Sequence, residues 1–168
     1  MADINKIPKH IEKAIVDTFR IQLSSQARVV SLTMDPNLIS SRRKSFDCLS
    51  TVGLQSTALV GQLSIALPRA TCLKILERLL GEKSDELTVE NSDAVGEILN
   101  IVFSSSRRPI NESGFDFQLA IPSTVIGRDI SVTRTGLSGY SLFFECQSDL
   151  GEFLVMLALR PAPSVKAS

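Results

Sequence analysis

The residues with the most pointed chemistry lie in one run, Asp93-Ala-Val-Gly-Glu97-Ile-Leu-Asn100-Ile-Val-Phe-Ser104. On a helix turning about 100° per residue, Asp93, Glu97, Asn100 and Ser104 share a stripe roughly 60° wide. Val95, Ile98, Leu99 and Val102 fall opposite and make an apolar face fit to pack on a sheet. Polar stripes of this kind are ordinarily solvated surface. This one differs in makeup: carboxylates and a primary amide one turn apart, with no lysine or arginine among them to form i,i+4 pairs. Asn100 is also a costly residue for mid-helix, because its amide competes for backbone hydrogen bonds where alanine or glutamine would be cheaper. That choice at an exposed position asks for a functional explanation. Two acids a turn apart could serve metal- or carboxylate-based hydrolysis, but no histidine lies near them in sequence and no second acidic motif completes such a site.

The elements that must hold this helix are legible around it. Ile7, Ile11, Ala14, Ile15, Phe19 and Leu23 recur at helical intervals after Pro8 and predict an amphipathic helix over residues 8–25. A short β-branched strand follows at 27–33, and the polar, Ser-rich stretch 39–45 reads as a loop. Residues 46–54 and 57–67 read as paired strands, with Gly61 marking a bulge or a close approach. Pro68 opens a helix over 69–80 that Gly81 closes, with Ala70, Leu73, Leu76, Leu79 and Leu80 expected inside. Ser84 or Thr88 is expected to cap the central helix, and Pro109 to stop it near Arg107 or Arg108. Alternation of Phe115, Phe117, Leu119 and Ile121 predicts a half-buried strand ending at Pro122, with Pro122 and Gly127 in structural turn roles. Strands are further expected at 129–135, 138–147 and 152–160, joined by turns at 136–139 and 148–151, before a frayed tail over 161–168. The sum is a single α+β domain over residues 1–160, three main helices on a largely antiparallel sheet.

Composition removes several classes of function. Eighteen basic residues balance eighteen acidic ones, so there is no net field for nucleic acid or an anionic membrane. The one basic cluster, Arg42-Arg43-Lys44, lies in the Ser-rich connection and reads as solvated. No apolar run reaches the roughly 18 residues of a membrane span, and the N-terminus lacks the layout of a secretory signal, so a cytoplasmic protein is expected. Cys48, Cys72 and Cys146 are an odd, widely spaced set, expected as reduced core thiols and not as a metal site or disulfide frame. His10, the sole histidine, is expected at the surface. Neither common phosphate loop is present, nor the GxSxG nucleophile elbow.

At Asp93-x-x-x-Glu97-x-x-Asn100, followed about twenty residues on by Phe117-Gln-Leu-Ala-Ile-Pro122-Ser-Thr-Val-Ile-Gly127, the sequence resembles the CheC/CheX/FliY family of bacterial chemotaxis phosphatases, its CheX branch most of all. The likeness extends to the N-terminal helix, the glycine-marked strand pair at 53–67, the Leu79-Leu80-Gly81 helix end and Ala94-Val95-Gly96-Glu97-Ile98. It implies a phosphorylated CheY-type response regulator as partner and hydrolysis of its aspartyl phosphate as the activity. An acyl phosphate already carries a good leaving group, and Mg²⁺ is expected on the partner receiver domain, so the missing ingredient is an aligned water. The resemblance assigns that alignment to Asn100, and to Glu97 the pairing with a receiver lysine that docks the helix. Asp93, which matches the first motif position, is expected as a supporting interface contact, and Ser104 and Arg107, on the stripe and at its edge, as further partner-binding residues, with no cofactor of the protein's own.

The sequence departs from the family pattern in places. Ser104-Ser105-Ser106-Arg107-Arg108 stands where members commonly have a glycine within a small-residue run, and the proline spacing is about one residue short. CheC-like members carry two copies of the motif; here the N-terminal helix offers Glu12-Lys13-Ala14-Ile15 with no amide. One site is therefore expected, and the resemblance to CheX implies a homodimer paired through its sheets. The altered run favours one alternative, a non-catalytic receiver-binding adaptor of the same fold.

Overall fold

The computed structural model describes residues 2–35, 45–132 and 139–163. A short 3₁₀ turn, Ile4–Lys6, is capped by Asp3, whose carboxylate accepts from the Asn5 backbone at 3.0 Å. It leads into α1 (Ile7–Leu23), with Pro8 in the first turn and Ser24 closing the helix in a left-handed conformation. Then come β1 (Ala27–Thr33), β2 (Phe46–Gln55), β3 (Leu59–Leu67), α2 (Arg69–Leu80), α3 (Val89–Glu112), β4 (Ser123–Ile130), β5 (Tyr140–Ser148) and β6 (Gly151–Pro161). The strands form one sheet in the order β1-β5-β6-β3-β2-β4, and every neighbouring pair is antiparallel.

All three helices pack on one face of this sheet. Ile7, Ile11, Ile15 and Phe19 of α1, Ile75 and Leu76 of α2, and Val95, Ile98, Leu99 and Val102 of α3 meet Val52, Leu63, Ile65, Phe144 and Leu157 in a continuous core. Phe19 stacks on Phe153 with ring centroids 4.5 Å apart, tying α1 to the middle of the sheet. The opposite face carries a small apolar cluster of Ala66, Leu154 and Met156, with Phe46, Leu49 and Phe143 against it. The three cysteines are free and buried, and burial holds the Cys146 thiol above its usual range. His10 is half-buried in the first turn of α1.

Gly61 is the close approach that its position in the strand suggested. A Cβ built there would lie 1.9 Å from the Ala158 carbonyl oxygen of β6. Backbone in the middle of a ladder cannot retreat as a side chain can. Gly61→Ala should therefore destabilise the protein by about 3 kcal/mol in urea melts, at the upper end of overpacking costs.

Asp149, in the tight β5–β6 turn, ties that corner to the end of α1. Its carboxylate accepts from the Ser25 hydroxyl and, at 3.0 Å, from the Gln26 backbone. The Ser25 bond, then backbone bonds and Arg78, hold the carboxyl below the usual range against a desolvation effect that raises it. A depressed native pKa contributes stability above the ordinary carboxylate range and loses it as pH falls through the native value. The gap in melting temperature between the parent and Asp149→Asn should accordingly shrink between pH 6 and pH 3.

Four sequence expectations need correction. First, residues 115–122 are not a strand: Phe115 and Phe117 are buried, but Leu119 is 62% and Ile121 90% exposed. Their backbone is satisfied off-ladder, because Asn111 accepts from Phe117 N at 2.9 Å and donates to Phe117 O at 3.0 Å, while Gln118 N donates to Gln55 O at 2.9 Å. The edge strand beside β2 is instead β4, which runs through Gly127 where a turn was expected and ends at Ile130. Second, the strand expected at 129–135 contributes only its first two residues to β4; residues 131–132 lie outside any strand, and 133–135 fall outside the described residues.

Third, α3 continues one turn past Pro109 to Glu112. The proline removes the donor to the Ser105 carbonyl, but Ser105 is exposed and water can serve it, while buried Ile110 holds the last turn on the core. Fourth, α2 buries Thr71, Cys72, Ile75 and Leu76, whereas Ala70 and Leu80 face out. The Thr71 hydroxyl donates to the Glu152 carbonyl at 3.0 Å, and a Cβ at Gly151 would lie 2.3 Å from it, so this contact sets the helix's rotation. The 39–45 loop (save Ser45), the Arg42-Arg43-Lys44 cluster, the 136–139 turn (save Gly139) and the tail from 164 lie outside the described residues; Pro161 belongs to β6.

Candidate functional site

Helix α3 begins with a reciprocal cap that fixes its start. The Thr88 hydroxyl accepts from Asn91 N at 3.2 Å, and the Asn91 side chain accepts from Thr88 N at 2.9 Å. Asn91 also donates to Ser84 Oγ at 3.3 Å and to the Glu86 carbonyl at 2.9 Å, so both expected cap residues take part. With its apolar face locked into the core, the helix presents its other face along a defined line. Asp93 and Glu97 are exposed, and Asn100 and Ser104 are half-buried. Among the described residues, none is hydrogen-bonded or ion-paired to the side chains of Asp93, Glu97 or Asn100.

Farther along the same helix the charged side chains are engaged within the chain. Arg108 pairs with Glu112 at 3.0 Å one turn on, the ordinary fate of surface charge. Arg107 is turned toward its own chain: Nη1 donates to the Phe117 carbonyl at 3.4 Å, and its buried Nε has no partner among the described residues. Structure thus brings Asp93, Glu97, Asn100 and Ser104 into one outward stripe and sets Arg107 at its edge, partly committed to the 115–122 segment. No group of three or more histidine, cysteine, aspartate or glutamate residues lies together in a metal-binding arrangement among the described residues.

The segment 115–122 runs alongside this stripe. It is held at one end by Asn111 and Arg107, which contact Phe117, and at the other by Pro122, whose Cγ would lie 3.5 Å from a Cβ on Gly96. Leu119 and Ile121, between those anchors, make an exposed apolar rim. Sequence reasoning missed this rim because the period-2 pattern put all four apolar residues on one buried face. The usable signal was Asn111, a side chain able to replace a ladder partner.

What the arrangement offers is an exposed acid and a half-buried carboxamide, one turn apart on the outward line of α3. Solved structures with the same fold include the chemotaxis protein CheX from Vibrio vulnificus, at 23% identity and TM-score 0.82, covering 92% of this chain and 99% of that one. A CheC-like superfamily protein from Shewanella sp. PV-4 matches at 19% identity and TM-score 0.82, covering 94% and 99%. The CheX–CheY–BeF₃–Mg²⁺ complex from Borrelia burgdorferi matches at 17% identity and TM-score 0.74, covering 95% and 99%. No curated protein matches the sequence significantly. The family model of the chemotaxis phosphatase CheX matches residues 48–145, which include most of β2 and the whole of β3, α2, α3 and β4, and on that match the chain belongs to the CheX family of chemotaxis phosphatases.

Proposed function

We propose that the protein hydrolyses the aspartyl phosphate of a CheY-type receiver domain by inserting the α3 ridge into the receiver's active site. The observation that carries this reading is that Glu97 and Asn100, without side-chain partners among the described residues, lie on the outward line of a helix whose other face is fixed in the core. Glu97 docks by pairing with a receiver lysine, a charge-assisted bond strengthened as the interface excludes water. Asn100, one turn on, holds the attacking water in line with the phosphorus. A carboxamide suits this task because it accepts and donates hydrogen bonds without exchanging a proton, as a glutamine does in GTPases.

Asp93 extends the docking line, and Ser104 and Arg107 shape its far end. Mg²⁺ belongs to the receiver, in keeping with the metal named in the Borrelia CheX–CheY complex, and nothing in the chemistry requires a cofactor on this chain. We place the reaction in the cytoplasm, where the buried thiols stay reduced, and the protein in a homodimer paired through its sheets; edge strands β1 and β4 carry exposed Val30, Leu32 and Val125. A second reading, a receiver-binding adaptor without turnover, is favoured by half-buried Ser104 standing where relatives commonly have glycine.

Timed phosphate release from a phosphorylated receiver with Mg²⁺ separates the two. A phosphatase accelerates release in proportion to its own concentration, at ratios well below one per receiver. An adaptor binds saturably and leaves the decay at its intrinsic rate.

A further inference from the structure

Gly96 sits in the middle of α3, one residue before Glu97 and four before Asn100, where alanine is the better helix former. Its role is not conformational freedom, since it lies inside a regular helix. A Cβ there would meet Thr124 Oγ1 at 3.2 Å, Pro122 Cγ at 3.5 Å and Ser50 Oγ at 3.7 Å. Those groups form a stiff floor. Ser50 and Thr124 are opposite each other in the β2–β4 register, Thr124 donates to Ser50 Oγ at 3.1 Å, and fully buried Ser50 donates to the Ser123 carbonyl at 3.4 Å. Pro122 is fixed by its ring, and behind both hydroxyls stands ladder backbone. The first atom a side chain would strike is thus braced by a second hydroxyl and not free to swing away.

We infer that Gly96 is a positioning residue: by letting α3 settle directly onto the Ser50–Thr124 hydroxyl pair and Pro122, it sets the height at which Glu97 and Asn100 stand above β2 and β4. On the helical projection Gly96 lies on the flank of the stripe nearest Asn100, so lifting the helix here moves the amide first. This rests on the water-aligning role proposed for Asn100, for which a displacement of a few tenths of an ångström matters. One ångström of misplacement can cost about a hundredfold in rate, so a few tenths should cost roughly three- to tenfold.

The test uses Gly96→Ala, Thr124→Ala, which removes the nearest obstructing oxygen, and the double variant. Two readouts are taken: receiver dephosphorylation rate, and the side-chain amide resonances of Asn100 by NMR. Gly96→Ala should fold, melt within about 5 °C of the parent, shift the Asn100 resonances and lose roughly three- to tenfold in rate at saturating receiver. The double variant should return both readouts toward the parent, a rescue that general destabilisation would not produce.

Unchanged Asn100 resonances in Gly96→Ala, or shifted resonances with an unchanged rate, overturn the inference. So does a double variant that is no better than Gly96→Ala. Should the parent itself prove inactive, the proposed reaction falls, yet resonances that shift and are restored still establish the seat under Asn100. An inactive parent with unshifted resonances removes both.

Discussion

Asn100→Ala should fold and bind the phosphorylated receiver as the parent does, yet lose at least about a hundredfold in dephosphorylation rate, because what it removes is alignment of the nucleophile and not contact area. The half-buried Asn100 side chain has no partner among the described residues, so truncating it orphans no buried group and should leave the melting temperature within a few degrees. A selective loss in kcat is the signature of an interaction made in the transition state. Asn100→Asp is a sharper version: it keeps size and one acceptor but replaces the donor with a charge facing a phosphoryl group. It should do no better than alanine. Single-turnover decay of the labelled receiver at saturating protein measures the effect directly.

Glu97→Lys should act on the other term. Glu97 is exposed and has no partner among the described residues, so its reversal is nearly free for folding. At the interface it would face the receiver lysine it is proposed to pair with, and like charges juxtaposed there cost several kcal/mol. Binding to a beryllofluoride-activated receiver should weaken by about a hundredfold or more in titration calorimetry. Glu97→Gln, which removes the pair without adding repulsion, should fall between. Because Asn100 changes rate at saturation and Glu97 changes affinity, the two variants together separate docking from chemistry.

How far the sequence foretold this site depends on which constraint ruled each element. Helix α3 was legible because two periodic patterns coincide on it: the apolar residues Val95, Ile98, Leu99 and Val102 are all in the core, and Asp93 and Glu97 are exposed. Its cap was legible in Thr88. Its end was not, because Pro109 is a strong stop signal only if its lost donor leaves a buried carbonyl, and here the carbonyl belongs to exposed Ser105. The segment 115–122 misled for a related reason. Period-2 apolarity signals a strand only when a ladder partner is available, and the free edge of β2 is occupied by β4 while Asn111 serves the backbone of Phe117. Rotation of α2 was set by a single hydroxyl, Thr71, meeting a carbonyl across the fold, a tertiary contact no local pattern contains. Gly96 illustrates the same limit at the site itself: the sequence shows a helical glycine, and only the fold shows the Ser50–Thr124 floor beneath it.

The most direct test of the central claim is a structure of this chain bound to a receiver loaded with Mg²⁺ and beryllofluoride. The account predicts α3 inside the receiver's active site, Glu97 paired with a receiver lysine, and the Asn100 amide about 3 Å from a water in line with the beryllofluoride. A complex in which α3 faces solvent, or in which Asn100 lies beyond reach of any such water, would contradict it.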